Sequence, residues 1–167
     1  KVFADSGHAG CKRTRRSTTR GARMLDGHLI RAWCLTQALV SISSGESEFY
    51  AMVKAVIELL DFKQLLDAMR GVRQFELYSD SVAARGIVKR VGTCARAKHI
   101  ATYHPFVQQH VRAGDFAIKA VLGLVNPADI GTRYATADTL TRLFVLMGFG
   151  RSPHRAERAG TAVREGP

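Results

Sequence analysis

The stretch of sequence that decides the fold is SSGESEFYAMVKAVIELLDFKQLLDAM, residues 43–69. Ser43 followed by Glu46 matches a capping box, in which the two side chains satisfy free backbone N–H groups at the start of a helix. Apolar residues then recur at helical spacing as far as Met69, and Gly71 suits the position just past a helix end. The pattern predicts one long helix with a buried apolar stripe.

Strand patterns lie on both sides of this helix. Two runs, residues 17–25 and 28–34, are separated by Asp26-Gly27, a dipeptide typical of a two-residue hairpin turn. Trp33, alone in the second run, is predicted to lie in the core. Further strands are predicted at 2–4, 74–78 and 116–122. Shorter helices are predicted at 81–90, at 95–113 with a kink near Pro105, from the cap Asp138 to Met147, and from Asn126-Pro127 onward. This order predicts a mixed α/β domain with helices packed on a central sheet.

The length and composition fit one domain. The chain has 167 residues, of which 46% are hydrophobic, enough to bury a core. We expect a domain over residues 1–149 and a disordered basic tail over 150–167. No apolar run is long enough to span a bilayer, the first residues lack the apolar region of a signal peptide, and three cysteines do not make a disulfide framework. We therefore expect an intracellular protein, cytoplasmic or nuclear, that is neither secreted nor bound to a membrane.

The charge is strongly basic and unevenly distributed. A formal net charge of +11 predicts a polyanionic partner, most simply a nucleic acid. Residues 1–40 hold eight basic and two acidic side chains, residues 41–84 hold four and seven, and residues 85–112 hold six and none. A nuclease needs both kinds, carboxylates for metal and bases for the substrate backbone. The acids equally fit a solvated helix face, and a nucleic-acid chaperone acting by charge alone would show the same excess.

Four acids are predicted to lie where strand ends and helix starts meet. Asp5 ends the first strand, Glu48 lies early in the long helix, Asp80 ends the strand after that helix, and Asp129 lies in the first turn of a later helix. Because such ends converge on one edge of an α/β sheet, the carboxylates would repel one another unless cations bridge them. Mg²⁺ or Mn²⁺ suits oxygen ligands, and a pair of such ions hydrolyses phosphodiesters in many enzymes. Each acid alone is also explained as a cap, a helix-dipole partner or a solvated residue.

Six short segments carry a more specific signal as a set. They are Phe3-Ala4-Asp5, Arg15-Arg16-Ser17-Thr18, Ser43-Ser44-Gly45-Glu46-Ser47-Glu48, Tyr78-Ser79-Asp80, Lys98-His99-Ile100 with Tyr103-His104, and Ala128-Asp129-Ile130. In order and spacing the set resembles the ribonuclease H domain of copia-type LTR retrotransposon Pol polyproteins, over about residues 2–148. The resemblance implies a ribonuclease H-like fold with a central mixed five-stranded sheet flanked by helices.

The resemblance also implies a function. It implies a metal-dependent endonuclease that cuts the RNA strand of an RNA/DNA hybrid, within a parent polyprotein that has a reverse transcriptase upstream. It implies two Mg²⁺ or Mn²⁺ ions, and it implies that the catalytic residues and metal ligands are Asp5, Glu48, Asp80 and Asp129. Glu48 is preferred to Glu46 because Phe49-Tyr50-Ala51 follows it, similar to the stretch after the family's helix carboxylate. Contacts to the nucleic-acid backbone are predicted for Arg13, Arg15, Arg16, Ser17, Lys98 and His99.

The chain departs from the family pattern at several positions. Gly7 and His8 stand where an Asp and a Trp are common, Leu35-Thr36 replaces lysines before the long helix, and Ala101 replaces a common acid. None of these changes removes a predicted metal ligand. They keep open the alternative of a catalytically decayed or domesticated nucleic-acid-binding remnant of the same fold.

Overall fold

The structure is a computed structural model that describes residues 1–69, 74–89, 103–130 and 136–150. The strands in these ranges are β1 (Val2–Gly7), β2 (Thr18–Leu25), β3 (His28–Thr36), β4 (Glu76–Ser79) and β5 (Ala117–Ala120). The helices are α1 (Ser44–Ala68), α2 (Val82–Lys89), α3 (Tyr103–Arg112) and α4 (Ala137–Leu146), and two 3₁₀ turns, Gly123–Val125 and Pro127–Asp129, precede α4. None of the helices in the described ranges is both long and apolar enough to cross a membrane.

The five strands form one mixed sheet in the order β3-β2-β1-β4-β5. β2 runs antiparallel to both β1 and β3, whereas β4 runs parallel to both β1 and β5. The predicted mixed five-stranded sheet is therefore confirmed. Because β1 and β4 are parallel neighbours, their C-terminal ends reach the same edge of the sheet.

Helix α1 begins and packs as its sequence predicts. The Ser43 hydroxyl accepts a hydrogen bond from the Glu46 N–H at 3.2 Å, and the Glu46 carboxylate accepts one from the Ile42 N–H at 2.8 Å. The helix ends with Met69 as its C-cap, and the predicted stop at Gly71 lies outside the described residues. Its apolar stripe forms the larger core with the inner face of the sheet and includes Val2, Ala4, Phe49, Met52, Val56, Leu59 and Leu77.

The opposite face of the sheet carries a much smaller core. Its buried members are Met24, Leu143 and Met147, with Phe3, Leu29 and Ile130 packed partly buried around them. Helix α4 therefore rests on a small apolar contact, whereas α1 shares a large one.

The β2–β3 hairpin shows why two glycines stand where they do. Asp26 and Gly27 have φ angles of 49° and 86°, the pair of positive values that a type I′ turn requires. Gly21 lies opposite Trp33, and a Cβ atom on Gly21 would lie 2.0 Å from the ring atom Cζ2. The Trp33 ring thus lies over the backbone of Gly21, where no side chain blocks it. It packs partly buried against the larger core, as predicted.

A methyl group at Gly21 is expected to destabilise the fold. Gly21→Ala forces the Trp33 ring out of its site, and we expect the free energy of unfolding to fall by about 1–3 kcal/mol, as for other overpacked cores. Thermal and urea unfolding measure the loss. Gly86→Ala is the control, because no atom lies within 4 Å of a Cβ atom there and alanine suits a helix interior. Equal unfolding temperatures for Gly21→Ala and wild type would show that the ring does not occupy this site.

A second buried feature is an ion cluster on α1. The Glu58 side chain is 2% exposed, and its carboxylate lies 2.9 Å from Lys54 Nζ, 3.1 Å from Arg31 Nη1 and 3.7 Å from Arg23 Nη1. The cluster joins α1 to β2 and β3, and all three cations share the Glu58 carboxylate.

Glu58→Gln is expected to cost about 3 kcal/mol of unfolding free energy. The substitution leaves the largely buried guanidinium of Arg23 without its counter-charge. Denaturant titration measures the change. Asp67→Asn, which breaks an exposed pair with Lys63 at 2.8 Å, is expected to change the same quantity by less than about 0.5 kcal/mol. Similar losses for the two variants would contradict the assignment of Glu58 as a buried hub.

Two predicted helix starts differ from the structure. The prediction that Asp138 caps α4 is wrong: Thr136 is the N-cap and accepts a hydrogen bond from the Thr139 N–H at 3.3 Å, so Asp138 lies within the first turn. Asn126-Pro127 begins a three-residue 3₁₀ turn rather than a longer helix, although Asn126 does cap it. In both places the sequence contains a suitable capping residue. However, α4 begins earlier than predicted, and the turn after Asn126 ends sooner than predicted.

Other predictions fall partly outside the described residues. The helix predicted over 95–113 is described from Tyr103 to Arg112, with Pro105 in its first turn, where no N–H is needed. The tail beyond residue 150 lies outside the described ranges, so the domain boundary and the disorder of 150–167 stay predictions.

Candidate metal centre

Three of the four predicted acids meet at one edge of the sheet. Asp5 lies near the end of β1, Asp80 directly follows β4, and Glu48 lies in the first turns of α1. Each residue offers a carboxylate oxygen, and these oxygens lie within 4.8 Å of one another. The parallel pairing of β1 and β4, with the N-terminus of α1 above them, therefore produces the predicted convergence.

The electrostatics of this group disfavour its charged state in the protein alone. Burial, followed by the charges of Asp80 and Asp129, raises the pKa of Asp5 to about 7. Burial, followed by the charges of Asp5 and Asp80, raises the pKa of Glu48 to about 8. The positive charge of Arg20 lowers the pKa of Asp5 but does not offset the burial and the like charges, so the protein alone disfavours the ionised state of these carboxylates at neutral pH.

One atom in the group indicates that a cation is needed there. The Oε2 atom of Glu48 is buried and has no hydrogen-bond partner among the residues that the structure describes. A buried carboxylate oxygen without a partner is costly, and native proteins rarely leave one. A divalent cation would satisfy this oxygen and neutralise the mutual repulsion of the three acids at once. Because all the donors are carboxylate oxygens, the residues fit a hard ion such as Mg²⁺ or Mn²⁺.

The fourth predicted acid occupies a different position. Asp129 ends the 3₁₀ turn Pro127–Asp129 and is not part of the group of oxygens within 4.8 Å. Its negative charge nevertheless contributes to the raised pKa of Asp5, so Asp129 lies near that residue. Its role as a metal ligand stays a prediction.

Two residues near the group carried no recognisable sequence signal. A Cβ atom on Gly123 would lie 3.2 Å from the Oδ2 atom of Asp80, so the glycine leaves room for this carboxylate. The Ser6 backbone and hydroxyl counteract, through hydrogen bonding, the rise in the pKa of Glu48. Ser6 also donates to the Ser47 hydroxyl at 2.9 Å.

The predicted backbone-binding residues divide into three groups. Arg13, Arg15 and Arg16 are exposed on the loop over residues 8–17, which joins β1 to β2. Ser17 is fully buried, and its hydroxyl accepts a hydrogen bond from the Ala9 N–H at 3.0 Å. Ser17 therefore stabilises the loop from inside the protein. A contact with substrate stays a prediction for the exposed Arg13, Arg15 and Arg16. Lys98 and His99 lie outside the described residues.

Comparison with known proteins shows the fold. No protein-family model matches the chain. Similar solved structures include LC11-RNase H1 in complex with an RNA/DNA hybrid, at 13% identity and a TM-score of 0.53, covering 77% of this chain and 90% of that one. Another is RNase H1 from the halophilic archaeon Halobacterium salinarum NRC-1, at 15% identity and a TM-score of 0.49, covering 72% and 83%. From the mixed sheet order and the likeness to the first of these, the chain has the α/β fold of ribonuclease H proteins.

Proposed function

We propose that the chain is a metal-dependent endonuclease that hydrolyses the RNA strand of RNA/DNA hybrids. The observation that carries the proposal is the group formed by Asp5, Glu48 and Asp80 at the edge where β1 and β4 end. The buried, unpartnered oxygen of Glu48 supports a cation there. The hybrid bound to the structural neighbour LC11-RNase H1 supports the substrate class.

The chemistry divides between the ions and the chain. Asp5, Glu48 and Asp80 would hold the metal, with Asp129 as the fourth predicted ligand. Two Mg²⁺ or Mn²⁺ ions bound there would supply an activated water and would stabilise the charge on the leaving 3′-oxygen. The chain itself fixes the carboxylates on strand and helix backbones, and the burial of Asp5 strengthens the hold of its carboxylate on a cation. The products carry 5′-phosphate and 3′-hydroxyl ends.

Substrate binding rests on the basic loop after β1. Arg13, Arg15 and Arg16 are exposed on it and contact phosphates of the hybrid without reading bases, with Lys98 and His99 as further contacts. Because these contacts release counterions, binding weakens steeply as salt rises.

The origin of the chain is part of the proposal. The six motif segments, in the order and at the spacing described above, support descent from a copia-type retrotransposon Pol polyprotein with a reverse transcriptase upstream. An intracellular place of action, in the cytoplasm or nucleus, follows from that descent.

The test is cleavage of a hybrid labelled on its RNA strand, with Mg²⁺ or Mn²⁺ and with a chelator. We expect metal-dependent cleavage of the RNA in the hybrid and none of duplex DNA. Asp80→Asn is expected to remove the activity, whereas Asp61→Asn, at an exposed position of α1, is expected to retain it. Undiminished cleavage by Asp80→Asn contradicts the assignment of the site.

Two other outcomes identify the alternatives. Hybrid binding without cleavage in either metal favours a decayed or domesticated remnant. Equal binding to hybrid and to duplex DNA, with the same steep salt dependence, favours a nucleic-acid chaperone acting by charge alone.

A further inference from the structure

The segment that carries Asp129 is tied to the sheet at its first residue. Asn126 is fully buried, and its Nδ2 donates a hydrogen bond to the Ala4 carbonyl at 3.3 Å. The Oδ1 of the same side chain accepts from the Ala128 N–H at 3.1 Å. One amide thus shapes the turn and fastens it to β1 at the residue before Asp5.

The same segment is tied again on the other side of Asp129. Arg20 Nη1 donates a hydrogen bond to the Ile130 carbonyl at 2.7 Å. Arg20 lies on β2 and is the cross-strand partner of Asp5 in the register of β1 and β2. Both ties therefore end beside Asp5, one on its own strand and one on the neighbouring strand.

These ties matter because the segment is short. It consists of a 3₁₀ turn of three residues, Pro127–Asp129, rather than a helix with several turns of internal hydrogen bonds. Among the described residues, the core beneath it has three buried members, Met24, Leu143 and Met147. Pro127 and Ala128 are themselves buried, and the side chains of Asn126 and Arg20 tie the two ends of the turn to the strands beside Asp5.

We propose that Arg20 and Asn126 are positioning residues that hold Asp129 at the distance from Asp5 that completes the metal centre. The inference rests on the proposed function above, in which Asp129 is the fourth ligand. Residues that orient metal ligands in this way commonly change metal affinity ten- to hundredfold when they are lost.

Arg20 allows this role to be separated from a purely electrostatic one. Its positive charge partly offsets the burial and the like charges that raise the pKa of Asp5. A positive charge near a cation site also repels the cation, so removing the charge alone would tighten metal binding. Removing a positioning contact would weaken it. The two roles therefore predict opposite signs for the same substitution.

The experiment is calorimetric titration of the full chain with Mn²⁺ alone, without nucleic acid. We expect Arg20→Met to weaken Mn²⁺ binding by about ten- to hundredfold, Arg20→Lys to restore part of the affinity, and Asn126→Ser to weaken it without a change of charge. Arg112→Met is the control, because it removes the same charge from an exposed position on α3, and we expect its affinity to stay within about twofold of wild type.

A second measurement links the effect to Asp129 and separates it from general destabilisation. The Asp129 N–H donates to the Asn126 carbonyl at 3.0 Å, and we expect its hydrogen exchange to speed up in Arg20→Met. In an Asp129→Asn background, Arg20→Met should then no longer weaken Mn²⁺ binding. If Asn126→Ser does not fold, the comparison of Arg20→Met with Arg20→Lys gives the answer alone.

The outcomes are distinct. Unchanged or tighter Mn²⁺ binding by Arg20→Met overturns the inference, as does a weakening that persists in the Asp129→Asn background. A wild-type chain that binds Mn²⁺ but cleaves no hybrid contradicts the proposed function and leaves the positioning role measurable. A wild-type chain that binds no Mn²⁺ contradicts both.

Discussion

Asp5→Asn is expected to remove nearly all hybrid cleavage and, at the same time, to make the metal-free protein more stable. Metal coordination supplies several kcal/mol of transition-state stabilisation, so losing a central ligand is expected to lower the cleavage rate by about 10²- to 10³-fold or more. Asp5 is 7% exposed and its pKa is raised to about 7. Above that pH the folded chain must keep a buried charge close to Asp80 and Asp129, and asparagine removes this cost.

The two halves of this prediction need separate measurements. Single-turnover cleavage of a labelled hybrid gives the rate, and thermal unfolding with a chelator at pH 8 gives the stability. Asp61→Asn, the same chemical change on the exposed surface of α1, is expected to alter neither by much. If Asp5→Asn loses both activity and stability, Asp5 serves the fold rather than a metal centre.

The metal-free protein is expected to lose stability as pH rises, which is the reverse of ordinary acid denaturation. The pKa values of Asp5 and Glu48 are raised from 3.8 and 4.5 to about 7 and about 8. Between pH 4 and pH 8 the unfolded chain has released these protons while the folded chain still holds them, so the free energy of unfolding falls across this window and levels off above it. We expect the unfolding temperature with a chelator to be about 5 °C or more lower at pH 8.5 than at pH 5.5.

Added metal should reverse this trend. Because the ligands must lose their protons to bind a cation, Mg²⁺ or Mn²⁺ should raise the unfolding temperature strongly at pH 8.5 and little at pH 5.5. Other titrating groups contribute to both profiles. The double variant Asp5→Asn with Glu48→Gln is therefore the reference, and its profile should lack both the fall with pH and the response to metal. A wild-type profile that matches the double variant would contradict the proposed centre.

The elements that the sequence predicts well are those with signals contained in a few residues. The capping pair Ser43 and Glu46 begins α1 as expected, and Asp26-Gly27 turns the hairpin. The meeting of Asp5 and Asp80 was predictable because the C-terminal ends of neighbouring parallel strands share an edge. Local periodicity and one rule of sheet topology thus account for most of the fold and for the meeting of Asp5 and Asp80 in the candidate site.

The features that the sequence did not predict depend on contacts between distant segments. Arg20 and Ile130 are separated by 110 positions, and Asn126 and Ala4 by 122. No local pattern encodes such contacts, so the ties that hold Asp129 came from the structure. The burial of Ser17 has the same origin, because its position within a basic motif says nothing about the loop that folds over it.

The unequal size of the two cores has a consequence for how the protein opens on warming. The strands and helix that carry Asp5, Glu48 and Asp80 share the larger core, whereas the turn with Asp129 borders the smaller one. Regions with few buried apolar contacts open locally at a lower free energy than the rest of a domain. The layer with Asp129 and α4 should therefore open as a separate unit, below the temperature at which the sheet and α1 unfold. In the proposed centre, in which Asp129 is the fourth ligand, the temperature of fastest hybrid cleavage should accordingly lie below the melting temperature, because this residue would move away before Asp5, Glu48 and Asp80 separate.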